Sequence, residues 1–198
     1  MDRISAIIAG GIFAIGLGAA GYYYVETRKY QSCNSGHVAG DAAIGGPFEL
    51  VSHQGETVTE ADVLDGPALI YFGFTYCPDV CPLDLVRNAE AIDILSANGH
   101  SVKPVFITVD PNRDTPEVVA EYVDLMHPEM IGLTGDAAAI DAAAKAYKVY
   151  YRRASDDEDY LVDHSSFSYL MDETGFRGFY RRDLTPSELA DQIACVVG

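Results

Sequence analysis

The chain has 198 residues, enough for one domain of ordinary size and an additional segment. It carries 30 acidic and 13 basic residues, a formal net charge of −17. Nucleic-acid binding depends on clustered positive charge, so this composition argues against a nucleic-acid partner. An acidic surface of this kind mainly keeps a protein soluble.

An apolar segment stands at the start of the chain. Residues 4–25 contain no charged side chain, and as a helix they would span roughly 33 Å, close to the thickness of a bilayer core. Tyr22, Tyr23 and Tyr24 end the segment, as is typical of a membrane interface. A cleaved signal peptide is the alternative, but its apolar region is usually shorter. We therefore predict a single transmembrane helix as a membrane anchor over residues 1–25.

The next segment, residues 26–43, is polar and rich in small residues, so we predict a linker to a domain over residues 44–198. The linker contains Cys33, and Cys195 lies close to the end of the chain. In an oxidising compartment these cysteines could pair with each other, pair with another chain, or remain thiols. The sequence leaves the three alternatives open.

Strand and helix patterns alternate through the domain. β-Hairpins are predicted around polar turns at residues 48–59 and 167–180. Short apolar runs predict strands at residues 68–74, 102–109 and 130–133. Helical spacing or capping residues predict helices at 83–95, 117–126, 136–147 and from Pro186 onward. This order predicts an α/β fold with a parallel core, made mixed by the terminal hairpin.

Two cysteines lie where the first core strand meets its helix. Cys77 and Cys81 are four residues apart, and the positive end of a helix dipole favours thiolates there. Such a pair can close a redox-active disulfide or hold a soft metal ion. A structural disulfide and unpaired core cysteines remain alternatives, because the spacing alone is a weak motif. A cysteine pair after the first core strand is nevertheless the thioredoxin-like arrangement.

Three motifs together resemble the Sco/SenC family. They are Cys77-Pro78-Asp79-Val80-Cys81-Pro82, the segment Asp110-Pro111 through Arg113-Asp114-Thr115-Pro116, and Val162-Asp163-His164-Ser165-Ser166. The resemblance covers about residues 44–196, and the single N-terminal span agrees with it. It implies a thioredoxin-like fold with an N-terminal β-hairpin, anchored in a membrane and facing the periplasm or the mitochondrial intermembrane space.

By the same resemblance, Cys77, Cys81 and His164 are the ligands of one copper ion. Two thiolates and an imidazole suit Cu(I), and they can hold Cu(II) when a further weak ligand is present. Zinc competes for such ligands. Without the resemblance, His164 could equally be a structural histidine.

Polar neighbours are candidates for outer-shell contacts. Asp163 and Ser165 flank the histidine and could select its tautomer. Asp110, at the carboxyl end of a core strand, could lie near the cysteines or only cap the following helix.

The resemblance implies a copper metallochaperone that assists assembly of the binuclear copper (CuA) centre of cytochrome c oxidase. Its partner would be the oxidase subunit that carries this centre. The alternative is a thiol–disulfide oxidoreductase that uses Cys77 and Cys81 to keep the acceptor cysteines reduced. A peroxidase is disfavoured, because no peroxidatic cysteine pattern is visible.

Overall fold

The computed structural model describes residues 16–24 and 43–198. Residues 16–24 are helical. Within the described residues, no helix is both long enough and apolar enough to cross a membrane. Most of the predicted anchor (residues 1–25) and nearly all of the predicted linker (residues 26–43) lie outside the described residues, so both stay predictions.

From residue 43 onward the chain forms nine strands and five helices. The strands are β1 (Glu49–Ser52), β2 (Thr57–Thr59), β3 (Ala68–Gly73), β4 (Lys103–Thr108), β5 (Ile131–Thr134), β6 (Tyr151–Arg153), β7 (Val162–His164), β8 (Ser168–Asp172) and β9 (Gly175–Tyr180). The helices are α1 (Glu60–Val63), α2 (Val80–Ala97), α3 (Pro116–Met126), α4 (Ala137–Ala146) and α5 (Pro186–Val197).

Seven strands form one mixed sheet in the order β2-β1-β5-β4-β3-β8-β9. The central strands β3, β4 and β5 run parallel, while the hairpins β1–β2 and β8–β9 join antiparallel at either side. All six residues of β3 are buried, as the unbroken apolar run predicts for a strand covered on both faces. The predicted parallel core and its mixed edges are thereby confirmed.

Helices cover the sheet through two apolar clusters. One cluster packs α2 and α5 against β3 and β8 through residues that include Leu69, Leu95, Leu170 and Ile193. The larger cluster contains residues of α3 and α4 and extends to both cysteines of the turn after β3.

Two helix starts agree with their capping signals. Thr115 Oγ1 accepts a hydrogen bond from the amide of Val118, and Thr185 forms a reciprocal capping box with Glu188. In both helices proline occupies the first turn, where its missing amide hydrogen costs nothing.

The sheet brings three separate segments to one edge. Because β3 and β4 are parallel, with Gly73 opposite Thr108, the segments that follow them leave at the same edge. Strand β8 is antiparallel to β3, and Ser168 at its start lies opposite Tyr71 near the end of β3. The segment that precedes β8 therefore reaches this edge as well.

Strands β6 and β7 form a small antiparallel sheet of their own, apart from the main sheet. Tyr151 pairs with His164, and Arg153 pairs with Val162. The sequence predicts extended backbone at residues 149–152 but not this pairing. An acidic stretch separates the two strands, and it has no short turn signal that would set their register.

Candidate metal centre

Three side chains from two distant parts of the chain converge at this edge. Cys77, Cys81 and His164 each offer one ligand atom, and these atoms all lie within 4.8 Å of one another. Cys81 Sγ is 3.2 Å from His164 Nε2. Cys81 is fully buried and Cys77 is 9 % exposed, while His164 is half-buried. The group is therefore reached from the side of Cys77 and His164.

The local chain course explains the unequal environments of the two cysteines. Cys77 lies in the turn before α2, whereas Cys81 lies in the first turn of that helix. The amide of Cys81 points back along the chain and donates to Cys77 Sγ at 3.4 Å. Helix N-terminal amides of this kind stabilise negative charge on the sulfur that they face.

Cys77 is the more acidic member of the pair. A hydrogen bond from the Cys81 thiol is the largest cause that lowers the pKa of Cys77, from its usual 9.0 to about 4. Hydrogen bonds from the amides of Asp79 and Cys81 lower this pKa further, against the opposing effect of burial. Cys77 is therefore a thiolate at neutral pH.

Cys81 responds in the opposite direction. Its hydrogen bond to the Cys77 thiolate and its burial both raise the pKa of Cys81 above the ordinary value. The main chain of Phe74 opposes this rise. In the metal-free state the two cysteines thus hold one proton between them. This proton is bound to Cys81 Sγ, which donates a hydrogen bond to the Cys77 thiolate.

The orientation of His164 leaves its Nε2 atom directed at the cysteines. Nδ1 lies 3.0 Å from the carbonyl oxygen of Ser165, and a carbonyl can only accept, so Nδ1 carries the hydrogen. In the neutral imidazole Nε2 then bears the lone pair that a metal requires. The rings of Phe74 and Tyr71 stand edge-to-face with the imidazole, at 5.8 and 6.2 Å between centroids.

The predicted outer-shell residues occupy different places. Ser165 meets the imidazole through its main-chain carbonyl. Asp163 lies on the other face of β7, because neighbouring strand residues point to opposite faces, and it pairs with exposed Arg152 at 3.2 Å. Asp110 is buried after β4 and accepts a hydrogen bond from the Tyr160 hydroxyl at 2.6 Å. An influence of either aspartate on the metal stays a prediction.

Sequence reasoning missed the buried polar groups beneath the cysteines. The Tyr71 hydroxyl donates to Asp84 Oδ2 at 3.1 Å, and both residues are buried. Tyr71 lies inside an apolar run, so the sequence indicates only a core residue at this position. The signal that could have revealed Asp84 is its place one turn after Cys81, on the same side of α2.

Asp114 holds the cysteine turn onto the neighbouring strand. Its carboxylate is fully buried and accepts hydrogen bonds from the amide and hydroxyl of Thr75, at 3.0 and 2.6 Å. It also accepts a hydrogen bond from the Thr108 hydroxyl at 2.5 Å. The turn after β3 is therefore tied to the end of β4 just before Cys77.

Gly73 allows the buried thiol to lie close to the sheet. A Cβ atom at this position would stand 3.0 Å from Cys81 Sγ and 3.0 Å from a ring carbon of Tyr71. A side chain at this position would therefore require the thiol or the ring to shift by a few tenths of an ångström.

Cys195 plays no part in this group. Cys77 and Cys81 are free thiols, whereas Cys195 is disulfide-bonded. Cys33 lies outside the described residues, so the possible Cys33–Cys195 bridge stays one of the alternatives that the sequence left open.

The donor set fits a soft metal ion. Two sulfurs and one nitrogen within 4.8 Å can reach a common ion at ordinary bond lengths of about 2.0–2.3 Å. Thiolate and imidazole together favour copper or zinc over hard cations such as magnesium.

Comparisons with known proteins agree with the fold and the site. Residues 37–198 match the pattern of the SCO1/SenC family. The chain is 54 % identical to Protein SenC of Rhodobacter capsulatus, over 86 % of this chain and 78 % of that protein.

Solved structures of similar proteins contain copper. The copper-bound structure of Arabidopsis thaliana ScoI is 47 % identical, with a TM-score of 0.73, and the match covers 76 % of this chain and 96 % of that one. Copper-bound yeast Sco1 is 40 % identical, with a TM-score of 0.72, over 77 % and 87 % of the two chains. These likenesses confirm the predicted mixed α/β, thioredoxin-like fold.

Proposed function

The chain belongs to the SCO1/SenC family, and from this premise we propose that it is a copper metallochaperone. It binds one copper ion through Cys77, Cys81 and His164. It serves assembly of the CuA centre of cytochrome c oxidase, whose CuA-bearing subunit is the acceptor. A membrane anchor holds it with its domain in the periplasm, or in the equivalent mitochondrial intermembrane space.

The observation that carries this proposal is the convergence of two sulfurs and one imidazole nitrogen within 4.8 Å. His164 follows Cys81 by 83 residues in the chain. Local structure alone does not bring such residues together. The copper in two structures of relatives at 47 % and 40 % identity supports copper as the ion.

The protonation states of the three side chains suit uptake of Cu(I) at neutral pH. Cys77 is already a thiolate, because its pKa is lowered to about 4. Cys81 keeps its proton in the metal-free state and releases it when the sulfur becomes a ligand. His164 presents the lone pair of Nε2, because the Ser165 carbonyl holds the hydrogen on Nδ1.

Three ligands also suit delivery. Closed structural sites use four protein ligands, whereas a three-ligand site leaves a position that another molecule can enter. The half-buried His164 lies on the approachable side of the group, whereas Cys81 is buried. A ligand of the acceptor can therefore enter from this side while both sulfurs still hold the ion.

Copper counting with a histidine variant tests the proposal. The full-length chain, reduced and kept free of oxygen in detergent, should bind one copper ion per molecule. In His164→Ala the loss of one ligand should weaken binding by at least the roughly hundredfold that outer-shell changes can cause. His100→Ala is the control, because His100 follows α2 at its far end, roughly 27 Å along the helix from the cysteines.

The delivery of copper to the acceptor is tested by a second measurement. The copper-loaded protein is mixed with a reduced, metal-free acceptor that carries a binuclear copper site, and the visible absorption of that site is followed. Wild-type protein should build the site and His100→Ala should match it. Failure of the wild type to bind copper, or equal binding by His164→Ala, would contradict the proposal.

The unequal pKa values of the two cysteines favour a second candidate function. A thiolate at Cys77 beside a protonated Cys81 is the arrangement of a thiol–disulfide oxidoreductase. The Cys77 thiolate attacks an acceptor disulfide, forms a mixed disulfide and releases one acceptor thiolate. Cys81 then gives up its proton and attacks Cys77 Sγ, which releases the second acceptor thiolate. Two electrons pass to the acceptor, and a Cys77–Cys81 disulfide remains.

The histidine variant separates the two functions. Thiol–disulfide exchange needs only the sulfurs, so His164→Ala should keep most reductase activity while it loses copper. Rates are measured with metal-free, reduced protein and an acceptor peptide that contains one disulfide. A variant in which copper binding and reduction fall together would show that the two activities cannot be separated at His164.

A further inference from the structure

A tyrosine on the histidine hairpin lies between two arginines. The guanidinium carbon of Arg113 and that of Arg153 each lie 3.7 Å from the centre of the Tyr160 ring. The Tyr160 hydroxyl donates to Asp110 Oδ1 at 2.6 Å, and Arg113 Nε donates to Asp110 Oδ2 at 2.5 Å. We call these four residues the Tyr160 clamp.

The clamp contacts the chain on both sides of the metal centre. Arg113 lies 4.7 Å from the ring centre of Tyr76, the residue before Cys77, and 6.0 Å from that of Phe74. Phe74 in turn stands edge-to-face with the His164 imidazole at 5.8 Å. The clamp therefore joins the cysteine turn, the segment after β4 and the hairpin that carries the histidine.

Two members of the clamp, Asp110 and Tyr160, are buried, Arg113 is half-buried and Arg153 is exposed. The side chain of Asp110 is 4 % exposed and that of Arg113 is 17 % exposed, and Tyr160 is 7 % exposed. Arg113 Nη2 is buried and has no hydrogen-bond partner within the described structure. Stacking on Tyr160 and the ion pair with Asp110 are thus the contacts that hold this guanidinium.

The hairpin needs such a contact, because β6 and β7 do not join the main sheet. No ladder of main-chain hydrogen bonds connects the strand of His164 to the strand that leads to the cysteines. The pair on its outer face, Arg152 with Asp163, is exposed and contributes little to position. The buried side chains of Tyr160, which lies just before β7, and of Val162, its first residue, therefore help to set where the hairpin lies.

We propose that Tyr160 is a positioning residue that holds His164 over the cysteine pair through the clamp with Asp110, Arg113 and Arg153. It acts on the metal only through the histidine. The inference rests on the proposed copper function, in which the histidine is the third ligand, and it assigns the cause of that ligand's placement. Copper retention is thereby coupled to a contact outside the ligand set.

Copper affinity in a double-mutant cycle tests the inference. In Tyr160→Phe, which keeps the ring and loses only the hydroxyl, Cu(I) affinity should fall about tenfold, as for other outer-shell changes. Tyr160→Ala should weaken binding by about a hundredfold. In the His164→Ala background Tyr160→Phe should have no further effect, because the residue through which it acts is missing. Affinity is measured by competition with a coloured Cu(I) chelator.

Tyr151→Phe is the matched control. Tyr151 lies on the same hairpin, opposite His164, and the charged groups that act on its hydroxyl are Asp141 and Lys145, which are outside the clamp. This variant should bind Cu(I) within about twofold of the wild type, far less than the outer-shell effect expected at Tyr160. An equal loss in both variants would overturn the inference.

Hydrogen exchange in the metal-free, full-length protein provides a readout that needs no copper. Tyr160→Phe should speed amide exchange in β6 and β7 and leave β3 and α2 at wild-type rates. Unchanged exchange in the hairpin, or copper loss that persists in the His164→Ala background, overturns the inference. If the wild type binds no copper, the proposed function fails by itself and exchange still decides whether the clamp holds the hairpin.

Discussion

Replacing Cys81 by alanine should raise the pKa of Cys77 in the reduced, metal-free protein. The hydrogen bond from the Cys81 thiol is the largest of the contacts that lower this pKa to about 4. We therefore expect Cys81→Ala to raise the pKa of Cys77 towards 9.0, and to raise it more than His164→Ala does.

The size of the effect follows from the two pKa values. The difference between 9.0 and about 4 corresponds to about 7 kcal/mol of preferential stabilisation of the thiolate, at 1.36 kcal/mol for each pH unit. Pro78 and Asp79 beside Cys77 are exposed, so solvent screens part of this stabilisation. Screening reduces the value to about half, or roughly 3–4 kcal/mol.

This lowered pKa also predicts how stability depends on pH. The folded protein keeps Cys77 ionised where the unfolded chain holds a proton, so the contribution is complete above about pH 9 and is lost as pH falls through about 4. At pH 7 it amounts to about 4 kcal/mol before screening and about 2 kcal/mol after it. The raised pKa of Cys81 acts only at alkaline pH, where its contribution declines.

Two measurements check this reasoning. The ultraviolet absorbance of the thiolate, followed from acid to alkaline pH, reports the pKa of Cys77 in the wild type and both variants. Urea unfolding of wild type and Cys77→Ser, compared between pH 4 and pH 9, reports the stability difference, which should grow with pH. A wild-type thiolate that first appears near pH 9, or a titration unchanged by Cys81→Ala, would refute the reasoning.

Other contacts around the site lead to further expectations. Gly73→Ala places a methyl group 3.0 Å from the buried ligand sulfur, so Cu(I) affinity in a competition titration should fall about tenfold; unchanged affinity would show that the thiol can move aside. Asp114→Ala removes three buried hydrogen bonds, two of them to Thr75, and should lower the free energy of unfolding in urea by about 3 kcal/mol. Asp114→Asn should recover part of that loss, and equal losses would indicate that charge is required. Mass mapping of the non-reduced protein should find Cys33 linked to Cys195; a Cys195 peptide joined to a second copy of itself would contradict this pairing.

The sequence predicted the elements of the fold well where the signals were local. The apolar run of β3, the proline-marked helix starts after Thr115 and Thr185, and the terminal hairpin were all present as short-range patterns. Such signals depend on a residue and its near neighbours, so they need no knowledge of the rest of the chain.

In the candidate site, too, the sequence identified the residues that have local signals and missed those that do not. Cys77 and Cys81 could be identified at a helix start from their spacing, but His164 entered only through a family resemblance. The clamp around Tyr160 had no local signal at all. Its members come from the segment after β4 and from both sides of the acidic stretch, and each reads as an ordinary surface or turn residue.

The sequence by itself determined the kind of fold, the two cysteines and the soft-metal chemistry that they allow. Only the tertiary structure decided that β3, β4 and β7 meet at one edge, which cysteine is the thiolate and which nitrogen of His164 faces it. Those outcomes depend on burial, on hydrogen bonds between distant segments and on the separate sheet of β6 and β7. Long-range contacts of this kind are set by packing of the whole domain, so no short stretch of sequence contains them.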